Sequence, residues 1–275
     1  MTVDYRSQTV LLTGASSGIG AAFARALAVR GSNLVLVARR AGRLASVAEE
    51  LRRTTEARIE VIPADLSRPA AAAELQHAVT DRGIHVTSLI NNAAFGSFAL
   101  LAEADPDRLA AEIAVAVLAP VQLTAAFLPR MVSVGNGFII NLASVSAYLP
   151  SPRMAVYSAA KAFVLSFTES LWTELRGTGV TAFAVAPGAT ATEFTTGMGP
   201  DARVLTAGKV RTPEDVVATA LRHLEHRDPG PAVIDGRSNH LSVLMSRFLS
   251  RRQNASIAAH IFDPGRLPSH VPPSG

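Results

Sequence analysis

Residues 9–31 read TVLLTGASSGIGAAFARALAVRG, and this stretch decides the fold. TVLLT is a short run of β-branched and aliphatic residues, the composition of a strand. IGAAFARALAVRG (19–31) repeats its apolar residues at helical spacing and stops at Gly31, a glycine suited to a C-terminal cap. Between them TGASSGIG (13–20) places glycines at 14, 18 and 20. Glycine there permits a tight turn, lets a phosphate approach the backbone and lets the helix pack close to the strand. The free N–H groups and the dipole of the helix then face the anion. No lysine follows Gly20, which excludes a Walker loop. A purely structural turn would carry the same glycines, so the rest of the chain must decide.

Working outward, strand-like and helix-like segments alternate. Strands are expected at 33–38, 59–65, 86–92, 137–144, 180–187 and 231–236. Helices are expected at 43–54, 69–81, near 106–131, from about 153 to 176, and at 212–226 with Pro213 in its first turn. The strands are apolar without polar alternation, so both faces are buried. Helices of this length between them imply a parallel sheet covered on both sides. The expected fold is a single doubly wound α/β domain over residues 1–262, with about seven strands, a helical extension from about 238 and a loose Pro/Gly/Ser-rich tail at 263–275.

Nearly half of the 275 residues are apolar (48%), enough for a large core, and aromatics are sparse at 5%. Cysteine is absent, which excludes disulfides and thiolate metal sites and fits a reducing cytoplasm. The formal charge of +4 comes from scattered residues rather than basic runs, against nucleic-acid binding. The N-terminus lacks the basic, then apolar, pattern of a secretory signal. The most apolar window, 113–129, is broken by Pro120, Gln122 and Thr124 and falls short of the ~20 residues of a membrane span. A soluble protein is expected.

YSAAK (157–161) holds one of only two lysines, Lys161 and Lys209, against twenty-four arginines. On a helix, Tyr157 and Lys161 share one face. A phenol titrates near ~10, too high for easy proton exchange at neutrality. A neighbouring ammonium stabilises the phenolate and lowers that value. Lysine is compact with three movable donors, where arginine is a planar fork.

Taken together, TGASSGIG, Asp65 after the third strand, NNAA (91–94) after the fourth, Ser144 after the fifth, YSAAK, and PGATAT (187–192) after the sixth resemble the short-chain dehydrogenase/reductase family, over about residues 8–236. The resemblance implies a Rossmann-like three-layer fold and hydride transfer between a nicotinamide and a carbonyl or alcohol, with Tyr157 as general acid/base. Ser144 is implied to hold the substrate oxygen, with Ser146 as runner-up, while Ser158 reads as a helix-face hydroxyl. Lys161 is implied to bind the nicotinamide ribose and to poise the phenol. The cofactor site is implied to comprise Gly14, Ser16, Ser17, Gly18, Ile19, Gly20, Arg39, Arg40, Asp65, Leu66, Asn91, Asn92, Ala93, Tyr157, Lys161, Pro187, Gly188, Thr190 and Thr192. Asp65 would accept from the adenine amine, and Asn91 to Ala93 would line the adenosine ribose. The acid that holds a ribose 2′-hydroxyl is replaced by Ala38, and Arg39 and Arg40 follow, which favours NADP(H) over NAD(H). No metal is implied. The partner is a small, apolar carbonyl or alcohol, and a homodimer or homotetramer through the 106–131 and 153–176 helices is implied.

One family feature is missing. The asparagine of the central helix aligns with Ala116, and no asparagine lies between 93 and 135. Water or a backbone carbonyl completes the proton relay, another side chain substitutes, or the protein is a cofactor-binding sensor or scaffold with little turnover.

Four further features are weighed. His223 and His226 read as a solvated helix face rather than a metal site, and Asp235 as a turn acid. The polar segment 188–212, with glycines at 197, 199 and 208, reads as a loop over a ligand, with Phe194 and Met198 as cover and Phe95, Leu149 and Met154 as walls. HLSVLMSRFLSRR (240–252) puts Leu241, Leu244, Met245, Phe248 and Leu249 on one stripe, read as packing onto the domain, with a substrate lid, a subunit contact or a membrane surface as alternatives.

Overall fold

Seven apolar runs form the strands: Thr9–Thr13 (β1), Asn33–Ala38 (β2), Ile59–Pro63 (β3), Ser88–Asn91 (β4), Gly137–Leu142 (β5), Val180–Ala186 (β6) and Ala232–Ile234 (β7). In this computed structural model, which describes residues 3–195, 198–206 and 210–266, they make one sheet in the order β3-β2-β1-β4-β5-β6-β7. Every pairing is parallel; Leu11 lies opposite Val35 on one side and Leu89 on the other. The alternation of side chains along each strand divides the core in two. Val10, Leu12, Leu34 and Leu36 pack with α1 (Gly18–Val29), α2 (Ala41–Thr54) and α7 (Pro213–Leu224). Leu11, Val35, Val37 and Leu89 pack with α3 (Ala71–Asp81), α5 (Ala119–Val134) and the end of α6 (Ala155–Glu174). The chain order reverses between β1 and β4, so a crevice opens at the carboxyl ends of these strands.

The long central helix differs from a regular one. It runs as α4 (Pro106–Ile113), a π-helical turn (Ala114–Leu118) and α5. Pro120 has no N–H for the Ala116 carbonyl, and the turn before it is closed by a five-residue bond, with the Ala119 N–H donating to the Ala114 carbonyl. The whole run, Pro106–Val134, is long and apolar enough to cross a bilayer by length and composition. Here it packs against α3, α6, β4 and β5.

The stripe at 240–252 is not one helix. It divides into α8 (Arg237–Ser246) and α9 (Arg251–Ile261), because Ser250 and Gln253 form a capping box that starts a new helix. Nor does the stripe pack onto the domain: Leu241, Leu244, Met245 and Phe248 are exposed, Phe248 by 78%, and Val243 is the buried residue of α8. Residues 267–275 of the expected tail, with Gly197, Gly208 and Lys209, lie outside the described residues.

Candidate active site

The glycine turn forms as its spacing requires. Gly14 has φ +69°, and a methyl group there would meet the Asn92 side chain at 2.6 Å; one on Gly20 would meet the Gly14 carbonyl oxygen at 2.2 Å. Asn92 braces the turn, its amide donating to the carbonyls of Thr13 (2.9 Å) and Gly14 (3.3 Å). Ser17 caps α1 with extended backbone and makes no side-chain cap bond, so the first N–H groups of the helix have no capping side-chain acceptor.

A cleft of about 850 Å³ runs from this turn across the carboxyl ends of the strands. Of the expected cofactor residues it is lined by Gly14, Ser16, Ser17, Gly18, Ile19, Arg39, Arg40, Asp65, Leu66, Asn92, Ala93, Tyr157, Lys161, Pro187, Gly188, Thr190 and Thr192. Gly20 and Asn91 are not among its lining residues. Gly20 serves the packing of α1 against the turn. The Asn91 amide points into the sheet, donating to Asn141 (2.8 Å) and Thr124 (3.4 Å), while Asn141 donates to Thr168 (2.8 Å). This ladder cross-links β4, β5, α5 and α6, so Asn91 is structural in its side chain.

At the end of β2, Ala38 leaves the cleft wall without a carboxylate, and Arg39 and Arg40 follow it there. Arg40 donates to the hydroxyls of Ser17 (2.7 Å) and Ser16 (3.4 Å). It also donates to Glu193 (2.8 Å), both of whose carboxylate oxygens accept from the Arg43 Nη1 (2.5 and 2.6 Å). These arginines, Arg43 first, hold the Glu193 carboxyl below the usual range. Sequence reasoning missed Arg43 and Glu193: they lie 150 positions apart, and only the fold joins them. Asp65 accepts from the Ser67 hydroxyl (2.7 Å) and N–H (3.1 Å), which keep it ionised against burial.

Ser144, Tyr157 and Lys161 come together at the other end. Ser144 lies two residues past the end of β5, at the cap of a short 3-10 turn; its Oγ accepts from the Ser146 N–H (3.1 Å) and donates to the Pro187 carbonyl (3.4 Å). Ser146 also lines the cleft, whereas Ser158 bonds back to the Ala155 carbonyl of its own helix. Tyr157 and Lys161 occupy successive turns of α6, with the Lys161 Nζ 5.6 Å from the phenol ring centre. Lys161 is 4% exposed and donates to the Leu142 carbonyl at 2.5 Å. Burial pulls the ammonium down to about 8, with Glu112 opposing. Burial pushes the Tyr157 phenol up to about 12; Ser144 opposes this and Glu112 adds to it. The phenol is therefore not lowered as expected from the ammonium: desolvation is the largest influence on it, and the opposing one comes from Ser144.

Phe95, Met154 and Phe194 form the apolar wall, and the Phe194 ring stands 5.1 Å from that of Tyr157. Leu149 and Met198 do not line the cleft; Met198 is buried behind Gly96 and Met154. Val204, Leu205, Ile261 and Phe262 also line it. The last two arrive at the end of α9, so the C-terminal extension contributes to the cleft beyond the 240–252 stripe, none of whose residues lines it. Asp235 is more than a turn acid: it is fully buried and accepts from Arg211 (2.9 and 3.0 Å) and Thr219 (2.6 Å). His223 is half-buried rather than solvated, against the Phe183 ring and the Gly230 carbonyl (2.9 Å).

A family model for short chain dehydrogenases matches residues 8–203. The chain belongs to the short-chain dehydrogenase/reductase family. It is 38% identical over 194 residues to sulfoacetaldehyde reductase 2 of Chromohalobacter salexigens, covering 69% of this chain and 75% of that one. A structure from work on 7β-hydroxysteroid dehydrogenase stereoselectivity superposes with a TM-score of 0.83 at 27% identity, over 94% of this chain and all of that one. A short-chain dehydrogenase from Sphingobium yanoikuyae in complex with NADPH gives 0.77 at 33% identity, over 91% and 95% of the two chains.

As a short-chain dehydrogenase/reductase, the protein is an oxidoreductase acting between alcohol and carbonyl with a nicotinamide cofactor. The residues present fit such a group. The glycine cradle leaves no room for side chains, and the start of α1 offers N–H groups to a phosphate. The family member's Ala116 is 2% exposed in the π-helical turn and presents only a methyl group.

Proposed function

We propose that the protein is an NADP(H)-dependent carbonyl reductase or alcohol dehydrogenase for an apolar substrate. One observation carries the reading: Ser144, Tyr157 and Lys161 share a single cleft with the glycine turn and with a wall of aromatic and aliphatic side chains. A bound nicotinamide supplies the hydride. Ser144 then steadies the substrate oxygen, and Tyr157 gives it a proton or takes one in the reverse direction. The ammonium of Lys161 favours the phenolate form during that exchange and offers donors to the cofactor ribose. Arg39 and Arg40, with Ser16 and Ser17 beside them and no acid at Ala38, favour a 2′-phosphate and hence NADP(H) over NAD(H). The apolar wall supports a ketone of the bulk that a hydroxysteroid dehydrogenase handles over a small sulfonated aldehyde. Exposed Ile113, Leu118 and Phe163 on α4 to α6 support a homodimer or homotetramer through those helices.

A panel of aryl ketones, keto-steroids and sulfoacetaldehyde with NADPH, read by nicotinamide absorbance, tests this. Oxidation of NADPH with an apolar ketone is expected, and Tyr157→Phe loses about 100-fold or more. A Tyr157→Phe protein with full turnover sinks the assignment. Ala116 favours a second reading, a cofactor-binding sensor or scaffold; tight NADPH binding with no substrate oxidising it supports that instead.

A further inference from the structure

Glu112 is a buried acid whose carboxylate oxygens are left without a well-formed hydrogen bond. It is 1% exposed, neither carboxylate oxygen has a partner in good hydrogen-bond geometry, and Ser97 is the group close enough to donate weakly. The other buried ionisable side chains are satisfied: Asp235 by Arg211 and Thr219, and Lys161 by the Leu142 carbonyl. A buried carboxyl in this state destabilises the fold, so its presence calls for a task.

Its surroundings point to one. Glu112 sits in the last turn of α4, which packs with the π-helical turn against α6. It lines a cavity of about 20 Å³ together with Ser97, Arg153, Met154 and Tyr157. That volume holds about one water molecule. Tyr157 and Met154 line both this cavity and the main cleft, so the tyrosine stands between the two. The charged and titratable groups around the carboxyl are Arg108 on its own helix, Tyr157 and Lys161 on α6, and Arg153 before α6; the Ser97 hydroxyl interacts with it. Arg153 is directed to Asp201 (3.8 Å) and the Phe98 ring. Burial holds the Glu112 carboxyl above the usual range, while Ser97, Arg108 and Lys161 oppose it. Arg108 donates to the Ser97 hydroxyl (3.1 Å) and reaches the exposed edge of the cleft, giving a polar route outward.

We propose that Glu112 is a positioning residue that acts through Tyr157, reloading and unloading its proton by way of a water in this cavity. The inference rests on Tyr157 being the acid/base. In ketone reduction, Tyr157 gives its proton to the substrate oxygen and becomes phenolate. The water then passes a proton to the phenolate and takes one from the Glu112 carboxyl, which is reprotonated from solvent along Ser97. Alcohol oxidation runs the same transfers backwards. No further reactant is needed. Ala116, one turn on, has no polar side-chain atom to offer instead.

The test compares Glu112→Gln, Glu112→Leu and Tyr157→Phe with the parent, using acetophenone and NADPH as the probe pair. Glu112→Gln is expected to lower kcat about tenfold or more. It should raise the solvent deuterium isotope effect on kcat and leave the KM for acetophenone and the NADPH Kd within about twofold. Both Glu112 variants should melt at or above the parent temperature, because they remove a buried carboxyl that lacks well-formed hydrogen bonds. A kcat that falls in step with a lower melting temperature shows a structural role and overturns the proposal, as does an unchanged kcat and isotope effect. The near-ultraviolet phenolate band in NADP⁺-saturated protein, taken as the difference from Tyr157→Phe, needs no ketone. Glu112→Gln should move its midpoint down by about one pH unit, and an unmoved midpoint also overturns the proposal. Should Tyr157→Phe itself turn over normally, the parent reading fails instead, so the two failures are separable.

Discussion

Replacing Lys161 with methionine separates the cost of its charge from the value of its hydrogen bond. Burial lowers the ammonium from its ordinary 10.5 to about 8. Below about 8 the lysine is charged in both the folded and unfolded chains, and the fold bears the whole desolvation cost. Between about 8 and 10.5 the unfolded chain keeps the proton while the folded chain has released it, so wild-type stability rises with pH. The gap of about 2.5 pH units, at about 1.4 kcal/mol each, amounts to about 3 kcal/mol. Methionine carries no such cost at any pH. It does strand the Leu142 carbonyl, which Lys161 now meets at 2.5 Å, at about 1–3 kcal/mol independent of pH. The two effects nearly cancel at pH 7, where the variant should match the wild type to within about 2 kcal/mol. At pH 10.5 it should have fallen behind by about 3 kcal/mol more. Urea unfolding followed by circular dichroism from pH 7 to 10.5 reads this directly. A wild-type-minus-variant difference that stays flat to about 0.5 kcal/mol would refute the claim that the fold holds a desolvated ammonium beside Tyr157.

Three further outcomes are expected. Ala38→Asp puts a carboxylate at the end of β2 beside Arg39 and Arg40; fluorescence titration should show NADPH bound about 30-fold more weakly and NADH within about threefold of the parent. Glu193→Gln frees Arg40 and Arg43 from their surface ion pairs, so NADPH should bind about threefold tighter at low salt, a gain that isothermal titration at high salt should no longer show. Phe262→Ala removes an apolar wall contributed by the end of α9 and should raise the KM for a bulky ketone about five- to tenfold with little change in kcat, read by steady-state kinetics.

The apolar runs and the helical spacings were legible because each is written within a few consecutive residues. The strand at 33–38 matches β2, Asn33–Ala38, and the helix at 212–226 contains α7, Pro213–Leu224. The break at Ser250 was legible too, as the S-x-x-Q box of α9, but the apolar stripe across it suggested one helix. Asn91 went astray for a different reason. Its place in NNAA is a matter of sequence, yet the direction of its amide depends on Asn141, fifty residues later.

By itself, the sequence determined the parallel layered fold, the glycine turn, and the one-turn spacing of Tyr157 and Lys161, since periodicity and chain stereochemistry act over short windows. Only the tertiary structure decided which charges lose their water and what they then face. Burial of Glu112 beside Tyr157, the grip of Arg43 on Glu193, and the arrival of Phe262 at the cleft each join segments far apart in the chain. Desolvation is a property of the space that surrounds a group, and residue order alone does not fix that space.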